Sequence, residues 1–374
     1  MKRMIYADNA ATTQLDHDAF EAMKPYLLGE FGNASQPYSF ARSAKKALKE
    51  ARETVAQLIG ATPEEIYFTS GGTESNNWAI KGCAFSGPLK SAIITSSIEH
   101  HAILRPCADI ERMGYPVVYL PVDTTGSVSP QMLSEFITNN TRLVSIMMAN
   151  NEIGSIQDIS ALSSVAHSHG AVFHTDAVQA VGHVEIDVDT LGVDMLSASA
   201  HKFNGPKGIG FLYVRKNTPL AAYLSGGSQE RNMRAGTENI ASIVGMAVAL
   251  EKNVSQIAKV KSHLESLENM LLQGLLNSNI VFSRNGSAKR IPGNISLSFP
   301  GYDGEALLHR LDLMGICVST GSACDSKETK TSHVLEAICL RPDLAKGTIR
   351  ISLGKHNTEQ DVHAILEALK RIMS

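Results

Sequence analysis

Apolar and polar positions follow two rhythms through the first two thirds of the chain. Short runs rich in apolar and β-branched residues recur as EEIYFTS, SAIITSS, VVYLPV, RLVSIMMA, AVFHTDA, DMLSASA and IGFLYVR. Among them lie stretches with helical spacing: ARSAKKALKEARETVAQLIG, HHAILRPCADIERMG, SPQMLSEFI and ISALSSVAHSHG. This alternation predicts an α/β domain built on a mostly parallel sheet. Several runs are continuously apolar, as expected of strands covered on both faces.

The rhythm changes at Thr237. TENIASIVGMAVALEKNVSQIAKVKSHLESLENMLLQGL keeps helical spacing without a proline and is too long for one ordinary helix, so a break is expected within it. NISLSF, GEALLHRLDL, ICVST, TIRISLG and a last helix, TEQDVHAILEALKRIM, then predict a smaller α+β domain. No internal repeat or low-complexity segment interrupts the chain.

Composition narrows the classes of function. The 374 residues are 43% apolar and 19% charged, with a formal net charge of -3. There is no polybasic stretch, hence no electrostatic case for nucleic acid as the main partner. The amino terminus MKRMIYADNAATTQ has no apolar core of signal-peptide length, and no stretch has the apolar length of a membrane span. A cytoplasmic protein is expected. Its cysteines, Cys83, Cys107, Cys317, Cys324 and Cys339, are odd in number and make no CxxC pair, so they are expected as free thiols. Cys83, Cys107, Cys317 and Cys339 fall in stretches that predict packing roles. Cys324 sits instead in STGSACDSKETKTS, where almost nothing is apolar.

In open α/β sheets, ligands bind beyond the carboxyl ends of the strands. Polar residues follow the apolar runs repeatedly. In YFTSGGTESN, two glycines permit a tight turn and Thr73-Glu74 opens a helix; this is either an anion seat or plain capping punctuation. In TSSIEHHAIL, His100 or His101 is a metal ligand, a ring stacked on a flat cofactor, or a capped surface residue. Adjacent histidines at a helix start do not face each other, which disfavours a two-histidine metal site. Asp176 ends the run FHTD, where a carboxylate either caps a helix or meets a cation. Lys202 follows SASAH directly, flanked by Ser199 and His201. A lysine after a buried strand either snorkels to water or is chemically used, because desolvation suits an amine to covalent catalysis.

A lysine for an aldehyde, an aspartate for a pyridinium nitrogen and a glycine-rich phosphate turn form the kit of pyridoxal phosphate (PLP) enzymes. On YADNAATT, EEIYFTSGGTESNN, NNEIGSIQDI, HTDAVQAVGH, SAHKFNGPKGIGFLYVR, RAGTEN, GSAC and IRISLG, the sequence resembles the NifS/IscS-like cysteine desulfurases. These belong to the class V aminotransferase group of fold-type I PLP enzymes, and GSAC in a long loop resembles the subgroup that supplies sulfur for iron–sulfur cluster assembly. The resemblance implies a large PLP-binding α/β domain over 15–255, with a mostly parallel seven-stranded sheet, and a small α+β domain over 1–14 and 256–374 carrying the Cys324 loop.

The resemblance also implies roles. Lys202 would hold PLP through its ε-amine and later move the substrate's α-proton. Asp176 would pair with the ring nitrogen, Gln179 with the ring hydroxyl, and His100 would stack on the ring and exchange protons. Gly72, Thr73, Ser199 and His201 would hold the phosphate, and Thr237 the phosphate of a partner subunit in a homodimer. Asn151 and Arg350 would bind the substrate carboxylate. Cys324 would attack the sulfur of L-cysteine, giving alanine and a persulfide for an acceptor protein, such as an iron–sulfur scaffold or a thiolation enzyme. Alternatives of the same fold are a selenocysteine lyase and a class V aminotransferase without persulfide chemistry; one of a different class is a non-catalytic sulfur-relay scaffold. In SGGSQERNMRAGTEN, Ser228 and Asn232 replace the more usual Gly or His, and Asp325 follows Cys324 where many relatives have Thr or Ser.

Overall fold

In a computed structural model of the chain, residues 4–87, 91–320 and 331–373 are described. A short strand β1 (Ile5–Tyr6) is followed by seven strands: β2 (Ile66–Thr69), β3 (Ala92–Ser96), β4 (Val117–Leu120), β5 (Thr141–Ser145), β6 (Val172–Asp176), β7 (Met195–Ser199) and β8 (Gly210–Val214). Each falls in one of the seven apolar runs, save that β5 begins one residue before RLVSIMMA. They form one sheet in the order β2-β8-β7-β6-β5-β3-β4. The pairs β4/β3, β3/β5, β5/β6 and β6/β7 are parallel, while β8 is antiparallel to both β7 and β2. The carboxyl ends of β2, β3, β5, β6 and β7 therefore share one edge.

Period-two alternation assigns the strand residues to two cores. Ile94, Val144, Leu196, Phe211 and Tyr213 enter the core on one face. Helices Arg42–Leu58, Ile159–Ser168 and Ile240–Val254 cover it through residues such as Val55, Leu162 and Met246. Ile93, Leu143, Met195 and Leu212 point the other way, under helices Gly72–Phe85 and His101–Arg112, which contribute Trp78, Ile80, Cys83, Ile103 and Cys107. Cys83 and Cys107 are packing residues, as expected, and burial pushes their thiols up to about 11 and about 12.

The long helical stretch breaks at Ser255-Gln256, between Ile240–Val254 and Ile257–Leu276. The second helix packs Leu264, Leu267 and Leu271 into a separate core. That core includes Ile295 and Leu297 of β10 (Asn294–Ser298), Ile349 and Ile351 of β12 (Thr348–Ser352), and Ile365 and Leu369 of the last helix, Glu359–Met373. β9 (Ser283–Arg284), β10 and β12 make an antiparallel sheet, and β1 pairs in parallel with β11 (Ile316–Cys317). Among the described residues, no helix is long and apolar enough to cross a membrane.

Two features depart from the sequence reading. Cys339 is exposed, not packed. The helix there runs only from His333 to Ala337; Val334, Leu335 and Ile338 turn inward, and Cys339 leaves the helical path at φ 56°. The sequence also gave no sign of a left-handed turn at Glu230, Arg231 and Asn232 (φ 42°, 59° and 65°). Non-glycine residues avoid this region, at a cost of roughly 1 kcal/mol or more each. Interactions of the first two residues oppose that cost. The buried Glu230 accepts two hydrogen bonds from Arg52, at 2.8 and 2.6 Å, and one from the Phe68 amide of edge strand β2. Arg231 lies over the Tyr67 ring, 4.1 Å from its centroid.

His174 ties the sheet together from inside. Fully buried on β6, its Nδ1 and Nε2 lie 2.8 and 2.9 Å from the hydroxyls of Ser145 on β5 and Ser197 on β7. Burial drives its pKa down to about 3. Below about pH 6.5 the unfolded chain takes up a proton that the native ring refuses, so this group's contribution to stability is lost as pH falls from there toward about 3. His174→Gln, which keeps a donor and an acceptor, is expected to show a shallower acid-side fall in unfolding free energy, by up to about 1.4 kcal/mol per pH unit inside that window. Parallel curves for the two proteins would refute this assignment.

Candidate active site

The shared edge of strand ends opens into a cleft of about 330 Å³. Gly72 and Thr73 begin the helix that follows β2. Gly71 stands at φ 146° as its N-cap, and a Cβ on Gly72 would come within 2.6 Å of the Val178 side chain. The turn thus needs glycine to lie this close to the chain beyond β6. His100 follows β3, Asn151 follows β5, Asp176 ends β6 with Gln179 just beyond, and Ser199, His201 and Lys202 end or follow β7. Arg350 comes from β12 of the smaller core. All ten line the one cleft.

Asp176 is 5% exposed. Its Oδ1 accepts the Val178 amide at 3.0 Å, a local turn of the capping kind, and its Oδ2 accepts Asn76 Nδ2 at 2.6 Å. Asn76 was not singled out from sequence. Its signal was there: it lies one helical turn after Gly72, on the same helix face.

Lys202 Nζ donates to the carbonyls of Ala10 and Ala11 at 2.6 and 2.8 Å, so the YADNAATT segment runs across the site. From the same segment Asp8 accepts from Arg350 Nη2 at 2.7 Å, and Arg350 Nη1 donates to the Asn151 carbonyl at 3.0 Å. Among the described residues, buried Arg350 Nε has no partner. Its other two nitrogens are engaged by the Asn151 carbonyl and Asp8, which leaves this one N–H unsatisfied. Nothing local to Asp8 announces its pairing with a residue 342 positions away.

His100 is the N-cap of helix His101–Arg112 and lines the cleft. Nδ1 accepts the Ala102 amide at 3.1 Å, so the neutral ring carries its proton on Nε2. Burial first, then Lys202, His101 and His333, hold its pKa below the ordinary value against the pull of Asp176. His201 is pushed to about 4 by burial and the neighbouring Lys202 and Lys207, and is neutral. No cluster of three His, Cys, Asp or Glu is placed to hold a metal among the described residues.

Two expected site residues are not in the cleft as described. Thr237 lines a separate depression with Thr69, Ser70, Arg234 and Gly236. Cys324 lies outside the described residues, as does Asp325.

The donor set fits pyridoxal phosphate. A primary amine, a buried carboxylate, a neutral imidazole, a helix start that a side chain would obstruct, and an arginine with one unsatisfied N–H surround one cleft. Residues 5–365 match the Aminotransferase class-V family. The Cysteine desulfurase IscS of Dictyoglomus turgidum is 49% identical over 100% of this chain and 95% of its own length. That of Methanosarcina thermophila is 46% identical over 99% and 92%. Among solved structures, a NifS-like protein superposes with a TM-score of 0.93 at 37% identity, covering 99% of both chains. SspA in complex with cysteine gives 0.85 at 38%, covering 95% of this chain and 100% of the other. The chain thus belongs to the class V aminotransferases, a PLP-dependent family, and within it to the cysteine desulfurases.

Proposed function

We propose that the cleft is where PLP and L-cysteine meet, and that the extracted sulfur leaves on Cys324. The observation that carries this reading is the convergence of Lys202, Asp176, His100 and Arg350, from four separate segments, on one cleft. Bound PLP supplies the electron sink that makes bonds near the substrate's α-carbon labile. Lys202 holds the cofactor through Nζ and moves the α-proton. Asp176, with its oxygens fixed by Asn76 and the Val178 amide, keeps the ring nitrogen protonated. Gly72, Thr73, Ser199 and His201 hold the phosphate, and Gln179, whose Nε2 is tied to the Ala10 carbonyl, serves the ring hydroxyl. His100 covers the ring and donates at Nε2; taking up a further proton requires its bond from the Ala102 amide to open. Asn151 and Arg350 bind the substrate carboxylate.

Cys324, as thiolate, attacks the substrate's sulfur. A sulfur–sulfur bond forms as the carbon–sulfur bond breaks, the electron pair stays on carbon, a proton joins it, and alanine leaves. The persulfide passes to an acceptor protein of iron–sulfur assembly or thiolation, in the cytoplasm. We read the two cores as two domains, 15–255 seating the cofactor and 1–14 with 256–374 carrying Cys324. A homodimer is supported by the placement of Thr237 outside its own chain's cleft. It is also supported by an exposed apolar set, Leu27, Leu28, Phe31 and Phe40.

The test of this reading is incubation with L-cysteine and a reductant, which is expected to yield alanine and sulfide one to one. Cys324→Ala is expected to keep the cofactor absorbance and lose sulfide release, whereas Cys339→Ala, at an exposed thiol, keeps both; undiminished sulfide from the first variant refutes the sulfur route. Arg350→Lys loses a planar charged fork and should raise KM for L-cysteine by roughly ten- to a hundredfold. An unchanged KM removes Arg350 from substrate binding. A Leu28→Glu, Phe31→Glu variant is expected to sediment as a monomer where the unaltered protein sediments as a dimer; a dimeric variant shifts the interface elsewhere.

A further inference from the structure

Helix Gly72–Phe85 presents its first turn to two sides. Gly72 and Thr73 line the cleft. Glu74, one residue on, carries a carboxylate at the same helix start, where its Oε2 accepts the Ser70 amide at 2.7 Å. The partial positive charge of a helix start favours one anion there. A phosphate on Gly72-Thr73 makes a second, and two anions at one helix end oppose each other.

Arg234 meets Glu74 from the far side. Its Nε and Nη2 donate to Oε1 and Oε2 at 2.7 and 3.1 Å, and the two side chains are 20% and 10% exposed. The bonds from Arg234 and Ser70 hold the Glu74 carboxyl below its ordinary range against burial, so it is anionic. Arg234 follows closely on the left-handed turn at Glu230-Arg231-Asn232 that Arg52 clamps to β2. A strained backbone thus leads to the guanidinium opposite Glu74.

We propose that Arg234 is a positioning residue for the cofactor's phosphate: by cancelling the charge of Glu74, it leaves the start of helix Gly72–Phe85 free to hold a dianion. This rests on the assignment of Gly72-Thr73 as the phosphate seat. Arg234 lies outside the lining of the cleft and acts through Glu74.

The experiment measures dissociation constants of PLP and of pyridoxal, which lacks the phosphate, by absorbance, with the full chain stripped of cofactor and reloaded. Arg234→Gln is expected to weaken PLP binding roughly tenfold while leaving pyridoxal binding unchanged. Glu74→Gln alone is expected not to weaken PLP binding. Glu74→Gln combined with Arg234→Gln is expected to return PLP affinity toward that of the unaltered protein, and Arg234→Lys to retain most of it. A merely structural tie between the two segments predicts instead that Arg234→Gln and Glu74→Gln weaken PLP and pyridoxal alike; that symmetric result overturns the proposal. Should Arg234→Gln fail to fold, Glu74→Gln still decides, since weakened PLP binding in that variant contradicts charge cancellation. If the unaltered protein binds PLP no better than pyridoxal, the phosphate seat itself is wrong, an outcome separate from unequal binding that Arg234→Gln leaves untouched.

Discussion

A carboxylate buried at the end of the central strand governs the rest of this architecture. Asp176 ends β6, the fourth of seven strands, at 5% exposure. Burying an ionised group without partners costs several kcal/mol or more. The fold answers with an amide from the following turn and with Asn76 from the helix after β2. The second partner forces that helix to lie against the sheet near Asp176, which in turn brings Gly72 so close to Val178 that no side chain is tolerated. The Gly72-Thr73 turn and the Asp176 carboxylate are thus one packing solution, not two independent features.

Much of this was legible in sequence because burial on both faces leaves a plain signature. Each of the seven apolar runs became a strand, and the polar residues following them reached the cleft, since parallel strands deliver their carboxyl ends to one edge. Asn76 and Asp8 went unnoticed for a different reason. Their roles are contacts across 100 and 342 residues of chain, and neither breaks a local rule where it stands. The left-handed run at Glu230-Arg231-Asn232 breaks a local rule, yet only the tertiary partners Arg52 and Tyr67 make it tenable. Cys339 was misread because helical periodicity was carried two residues past the end of the helix.

The ionic contacts that join distant segments differ in character from those along single helices. Lys46–Glu50 and Lys49–Glu53 are exposed pairs along one helix, of the kind worth a few tenths of a kcal/mol. Arg52–Glu230, Arg234–Glu74 and Arg350–Asp8 are shielded and join segments far apart in sequence. Removing one partner of such a pair leaves a charge with little water to receive it. They fix where segments sit more than they add to stability.

The pairing of Arg350 with Asp8 and the Ala10 and Ala11 carbonyls on Lys202 have a consequence for biosynthesis. Segments 342 residues apart along the chain close the same cleft. On the ribosome the large sheet has its strands long before β12 emerges, so a nascent chain possesses the lysine and the aspartate but no guanidinium opposite them. Until β12 joins the fold the cleft lacks its arginine wall, and Asp8 lacks the guanidinium that pairs with it.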